Sequence, residues 1–150
     1  METNMYDEYF KIYGTEQAID WRLLKAQVKA ESSFNPFATS RSGACGLAQF
    51  LPSTWKEWGH GSIHDPEESI KAQSRYMAHL MPLVNNKIEL ALASYNWGIG
   101  NIQYLISDLH SDDLTVLKTD SRFPKETRIY IDKVLGYYED YKTHGKGIDE

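Results

Sequence analysis

Apolar residues recur at helical spacing along most of this chain, and breakers separate the periodic stretches. From Gln17 to Ser32, the positions Trp21, Leu24 and Val28 fall three and four residues apart and share one helical face. Ser33–Gly46 loses that periodicity and holds Asn35-Pro36, Gly43 and Gly46, so it reads as irregular. Leu47 to Trp58 predicts a short helix entered or interrupted near Pro52. Asp65-Pro66 is a helix start, a capping carboxylate followed by proline where a missing N–H does no harm. The helix it opens carries Ile70, Met77, Leu80 and Met81 and is expected to stop near Pro82. Lys87 to Trp97 predicts another helix ended by Gly98 and Gly100, and Asn101 to Leu109 a further short one. Pro124 opens a last helix with Ile129, Val134 and Tyr137 along it. No helix is predicted before Gln17, and the tail from about Thr143 reads as frayed. The strand signal is weak and no linker divides the chain. The expectation is a single, mostly α domain over residues 1–150.

Composition narrows the function classes. The 150 residues suit one core, and 41% hydrophobic with 25% charged residues is the balance of a soluble globular protein. A formal net charge of −5 argues against a nucleic-acid binder, which would show a basic patch. The same charge gives no attraction to an anionic surface, so binding must come from shape, stacking and hydrogen bonds. Ten Tyr, five Phe and four Trp can fill a core or line a carbohydrate groove, and composition leaves both open. One cysteine, Cys45, excludes an internal disulfide and a Cys-pair metal or redox motif. Neither a cofactor nor a metal is expected. No apolar run approaches the roughly 18 residues that suggest a membrane span, and no stable membrane insertion is expected. The acidic start, Met1 to Phe10, lacks the charge and apolar pattern of a secretory leader, so synthesis and retention in a cytoplasm are expected.

Glu31 carries the chemistry. It lies three residues after Val28 and seven after Leu24, so the apolar face of the first strong helix ends in a carboxylate. A carboxyl pressed against apolar surface loses solvation, and its pKa rises. A carboxylic acid that keeps its proton near neutral pH can protonate a leaving oxygen.

The surrounding string gives this residue a family context. Glu31-Ser32-Ser33-Phe34-Asn35-Pro36, then Ser40, then Gly43-Ala44-Cys45-Gly46-Leu47-Ala48-Gln49, resembles the first signature of the soluble lytic transglycosylases, bacterial relatives of goose-type lysozyme. Ala93-Ser94-Tyr95-Asn96-Trp97-Gly98 resembles the second, and Pro124-Lys125-Glu126-Thr127-Arg128-Ile129-Tyr130 the third. The blocks stand in the family's order and the likeness covers about residues 20–138.

The resemblance implies a mostly α lysozyme-like (goose-type) fold with a substrate groove between two lobes, and Glu31 as the catalytic carboxylate. It implies substrate-site roles for Ser40, Gln49, Tyr95, Asn96 and Tyr130. Glu126 and Arg128 are expected to be an ion pair or surface charges. Two departures concern groove shape: Ala48 stands where the family usually has methionine, which predicts a roomier wall, and Trp97 stands where it usually has alanine. Trp97 would either fill the core or add a stacking face.

The implied substrate is the glycan strand of bacterial peptidoglycan, cut at the MurNAc-β-1,4-GlcNAc bond with a 1,6-anhydromuramic end. One carboxyl would act as acid and then as base, where glycosidases ordinarily use two. The alternative is a hydrolytic muramidase in which Asp65, near His60 and His64, positions water, although Asp65 before Pro66 already serves as a helix cap. A further alternative is a non-catalytic peptidoglycan-binding module. A lone acting domain of this kind resembles a bacteriophage endolysin, a monomer waiting in the host cytoplasm and acting on the wall in the periplasm. The lone thiol of Cys45 suits a reduced compartment.

Overall fold

The computed structural model describes residues 3–144, which form eight helices joined by short connections. The first is α1, Asp7–Gln17, a helix that the hydrophobic pattern did not predict. Its inward side is anchored by Phe10, fully buried, and by a charge pair: Lys25 Nζ lies 2.9 Å from Asp7 Oδ1 and 3.0 Å from Asn4 Oδ1. Gly14 sits where an added Cβ would meet Ile19 O at 2.7 Å, so α1 can cross the start of the next helix closely. Ala18, at φ 58°, ends α1, and Asp20 then caps α2, Trp21–Ser32, by accepting from Arg22 N at 3.0 Å. The helix predicted from Gln17 to Ser32 therefore begins at Trp21, and Gln17 is the last residue of α1.

Helix α3, Pro52–Trp58, begins at its proline, as predicted. Helix α4, Pro66–Leu83, is capped by the Asp65 carboxylate, which accepts from Glu68 N at 3.0 Å. It runs one residue past Pro82 and so stops near the proline, as expected. Helix α5, Ile88–Trp97, is buried from Leu90 to Ser94 and threads the centre of the domain. Gly98, at φ 108°, turns the chain straight into α6, Ile99–Leu109, two residues earlier than predicted. A short α7, Leu114–Leu117, was not foreseen; Asp113 caps it through Thr115 N at 2.9 Å. Helix α8, Lys125–Thr143, packs on α2 and α5. Its last residue is Thr143, and most of the tail expected to fray lies outside the described residues.

The main core gathers Leu24, Val28, Leu47, Leu80, Leu92 and Val134 with their neighbours from every helix but α3 and from the loops. A smaller cluster holds Ala48, Phe50 and Ala72 under Trp55, Trp58 and Ile63. Each fully buried large apolar side chain contributes about 1.5–3 kcal/mol. Between α2 and α3 the chain forms no strand, only isolated bridges joining Thr39 to Cys45 and Cys45 to Phe50. Tyr76 and Tyr95 touch both clusters, and a cleft opens where the two meet.

Candidate active site

The cleft has a volume of about 190 Å³, and Glu31 stands in its wall. Glu31 occupies the last turn of α2, just before Ser33 ends the helix at φ 51°. Ser32 braces this turn by donating to Leu47 O at 2.8 Å, so the loop wall and the helix end move as one piece. The carboxyl is half-buried, and burial pushes it from about 4.5 up to about 8. The nearby Glu126 charge raises it further, while a hydrogen bond donated by the Tyr130 hydroxyl opposes both. Its place at the negative end of the helix dipole works in the same direction as burial.

Ser40, Gln49, Tyr95 and Asn96 line the same cleft as Glu31. Three separate segments of sequence meet there because the bridged loop folds back over the ends of α2 and α5. Gln49 holds φ 54° and donates its amide to Ala38 O at 3.0 Å and Gly46 O at 2.8 Å, which leaves its Oε1 to accept from a ligand. Ser40 Oγ lies 2.9 Å from Ser42 Oγ and accepts from Ala44 N at 3.1 Å. Tyr95 donates to Ala48 O at 2.8 Å. Asn96 Oδ1 accepts from Thr127 Oγ1 at 2.8 Å, fixing the end of α5 to the first turn of α8.

Tyr130, expected among the substrate-contacting residues, does not line the cleft. It lies behind Glu31, only 7% exposed, with its hydroxyl between Gln27 and the carboxyl. Burial and the neighbouring carboxylate push the Tyr95 and Tyr130 phenols well above their ordinary value, so both stay protonated donors.

The structure corrects the roomier wall expected at Ala48 and decides between the readings left open elsewhere, with Glu126 and Arg128 as exposed surface charges. Glu126 and Arg128 do not pair, because they leave α8 on different sides: Glu126 lines the Glu31 cleft, whereas Arg128 lines a second one with Lys118 and Lys125. Ala48 is 1% exposed and points into the smaller cluster, so its small side chain does not widen the cleft wall. Trp97 packs on Phe123, with ring centroids 5.6 Å apart, and offers no face to the cleft. Asp65 is used as a cap and does not reach the cleft. His64 Nδ1 lies 3.1 Å from Pro36 O, and its ring stacks on Phe37.

Sequence reasoning passed over Gln27 and Gln73, both fully buried. Their signal was present: each is a polar residue at a core position of an apolar helical stripe. Gln27 is one turn before Glu31, and Gln73 stands between Ile70 and Met77.

Comparison with known proteins agrees with this arrangement. Residues 8–112 match the transglycosylase SLT domain. The membrane-bound lytic murein transglycosylase F of Pseudomonas fluorescens strain Pf0-1 is 33% identical over 103 residues, 65% of this chain and 21% of that protein. The protein of the same name from Pectobacterium atrosepticum is 38% identical over 99 residues, 62% of this chain and 20% of that one. The 70 kDa soluble lytic transglycosylase of Escherichia coli superposes with a TM-score of 0.80 at 28% identity, covering 92% of this chain and 24% of that one. The chain thus spans about a fifth to a quarter of the length of these relatives. With its mostly helical, lysozyme-like fold and this cleft, the chain belongs to the transglycosylase SLT domain family.

Proposed function

We propose that this domain cuts the glycan strands of bacterial peptidoglycan as a lytic transglycosylase, with Glu31 as its acid and base. The observation that carries the reading is a carboxyl raised to about 8 in the wall of an open cleft. At neutral pH such a group holds its proton and faces the place where a sugar oxygen would lie. The names of the relatives, lytic murein transglycosylases, support murein as the substrate class.

In this mechanism Glu31 donates its proton to the departing N-acetylglucosamine oxygen as the glycosidic bond breaks. The N-acetyl group of the muramic sugar steadies the cation that develops. The Glu31 carboxylate then takes the proton of that sugar's 6-hydroxyl, whose oxygen closes the 1,6-anhydro ring. Ser40, Gln49, Tyr95 and Asn96 are proposed to hold the glycan in the cleft, and Tyr130 to act from behind Glu31. The domain is read as one catalytic unit, working as a monomer.

A hydrolytic reading needs a second carboxylate to position water. Asp65 is occupied elsewhere, and among the described residues Glu126 is the other carboxylate lining the cleft. Mass spectrometry of released muropeptides separates the two. Anhydro ends, one water lighter, are expected; reducing-end muramic acid as the main product overturns the assignment. A pure glycan binder is excluded if purified cell walls clear with the wild type and not with Glu31→Gln.

The setting proposed is wall lysis in the manner of an endolysin, reached once the inner membrane is opened. No helix among the described residues is long and apolar enough to cross a membrane. Detection of the protein in the periplasm of cells with intact membranes counts against this setting.

A further inference from the structure

Behind Glu31, two buried amides form a chain of hydrogen bonds whose direction is set at one end. Gln73 Nε2 donates to the backbone carbonyl of Leu24 at 3.1 Å and to Gln27 Oε1 at 2.9 Å. Gln27 Nε2 donates to Tyr130 Oη at 3.1 Å and reaches Met77 Sδ at 3.6 Å. The Tyr130 hydroxyl donates to the Glu31 carboxyl.

The carbonyl of Leu24 can only accept. Turning the Gln73 amide over would set oxygen against that oxygen. Turning the Gln27 amide over would set its nitrogen against the Gln73 nitrogen. Both amides are therefore locked, and an N–H always meets the lone pair of Tyr130. The phenolic proton is left one acceptor, Glu31. A hydroxyl that accepts one hydrogen bond also becomes a stronger donor of the next.

We propose that Gln27 and Gln73 are positioning residues that hold the Tyr130 hydroxyl as an obligate donor to Glu31. The proposal rests on the reading of Glu31 as the acid and base. It assigns a job to groups that packing alone does not explain. Gln27 and Gln73 are both fully buried, and Gln73 Oε1 has no hydrogen-bond partner, so this part of the core carries an unsatisfied acceptor that an apolar residue would avoid. The consequence is a division of the carboxyl. The oxygen facing Tyr130 receives a hydrogen bond and cannot pass a proton that way, so the acidic proton resides on the oxygen turned toward the cleft. After that proton leaves, the same donor steadies the carboxylate that must act as base. The titratable groups around Glu31 are Tyr130 and Glu126 of α8 and Tyr95 of α5, with Tyr76 of α4 one ring further on. Of these, Tyr130 is the donor to Glu31, since the Tyr95 hydroxyl donates to Ala48 O.

The test is a carbon-13 titration of the Glu31 carboxyl, assigned with Glu31→Gln, run beside a cell-wall clearing assay. It compares the wild type, Tyr130→Phe, Gln27→Met and the double variant. Tyr130→Phe is expected to raise the Glu31 midpoint by about one pH unit. Gln27→Met is expected to raise it by part of that amount, with wall clearing extending to correspondingly higher pH. The double variant is expected to titrate with Tyr130→Phe alone, because the amide acts only through the hydroxyl. A Gln27→Met midpoint equal to the wild type, or an equal added shift in the double variant, overturns the proposal. If Gln27→Met does not fold, Gln73→Met carries the same test with the same outcomes. A wild type that titrates near 8 yet clears no wall defeats the proposed function and leaves the relay to be judged by the titration.

Discussion

The hydroxyl of Tyr95 donates to the backbone carbonyl of Ala48 across 2.8 Å, tying the end of the central helix to the loop that forms the opposite wall of the cleft. The two residues are 47 positions apart in the chain. The bond ties two parts of the cleft lining together, because Tyr95 and Gln49, the neighbour of Ala48, both line it. Tyr95→Phe keeps the ring and leaves a buried carbonyl without its partner. The expected cost is about 1–3 kcal/mol in urea unfolding, with weaker glycan affinity. An unchanged KM for solubilised glycan strands would show that the bond does not shape the cleft.

Glu31→Gln keeps size and polarity and removes the transferable proton. Wall-clearing rates should fall by at least about 10²–10⁴-fold, with the circular dichroism of the folded protein unchanged. A variant that retains a tenth of wild-type activity would place the acid elsewhere.

The same carboxyl sets a pH dependence whose sign follows from burial. The proposed mechanism starts from the protonated form, so the rate should fall as pH rises through about 8. Stability follows the same proton. The folded chain binds it more tightly than the unfolded chain between about 4.5 and about 8, so stability declines as pH climbs through that window. Glu31→Gln removes this dependence. It should be the more stable protein at pH 8, by on the order of 1–2 kcal/mol once water in the cleft is allowed for. A urea midpoint for Glu31→Gln below that of the wild type at pH 8 contradicts the account.

Thr127 is 1% exposed and donates to Asn96 Oδ1 at 2.8 Å. Thr127→Val keeps the shape and deletes the donor, leaving the amide oxygen of Asn96 unheld. A loss of about 1 kcal/mol in stability is expected, together with a higher KM at nearly constant kcat. A change in kcat alone would show that Asn96 takes part in the chemical step.

Lys25 carries a fully buried charge that meets Asp7 and Asn4. Asp7→Ala strands that charge, and breaking such a pair costs about 3–5 kcal/mol. Helix α1 is expected to loosen first, seen as faster amide exchange over Asp7–Gln17. Equal protection in the variant would show that apolar packing through Phe10 suffices.

Much of the architecture could be read along the chain. Gly98 and the Asp65-Pro66 pair marked helix ends by local physics, and the structure turns at both. Helix α1 was missed because Phe10, Gly14 and the Asp7–Lys25 pair matter only once α2 and α4 lie beneath them. The break at Ala18 was hidden for a related reason: a left-handed residue that is not glycine leaves no mark in a hydrophobic pattern. Helix α7, four residues long, is too short to show a period at all.

The sequence by itself determined that the chain is helical, that its first apolar stripe ends in Glu31, and that three separated blocks share one family's order. The first two are properties of spacing, which is local, and the third is a resemblance carried by the residues of the blocks themselves. The tertiary structure alone decided that Glu126 faces the cleft, that Tyr130 stands behind Glu31 rather than beside a sugar, and that Ala48 and Trp97 turn away. It also decided how far the Glu31 proton is held. Desolvation depends on what crowds a side chain from every direction, and those neighbours come from the loop after α2 and from α4, α5 and α8.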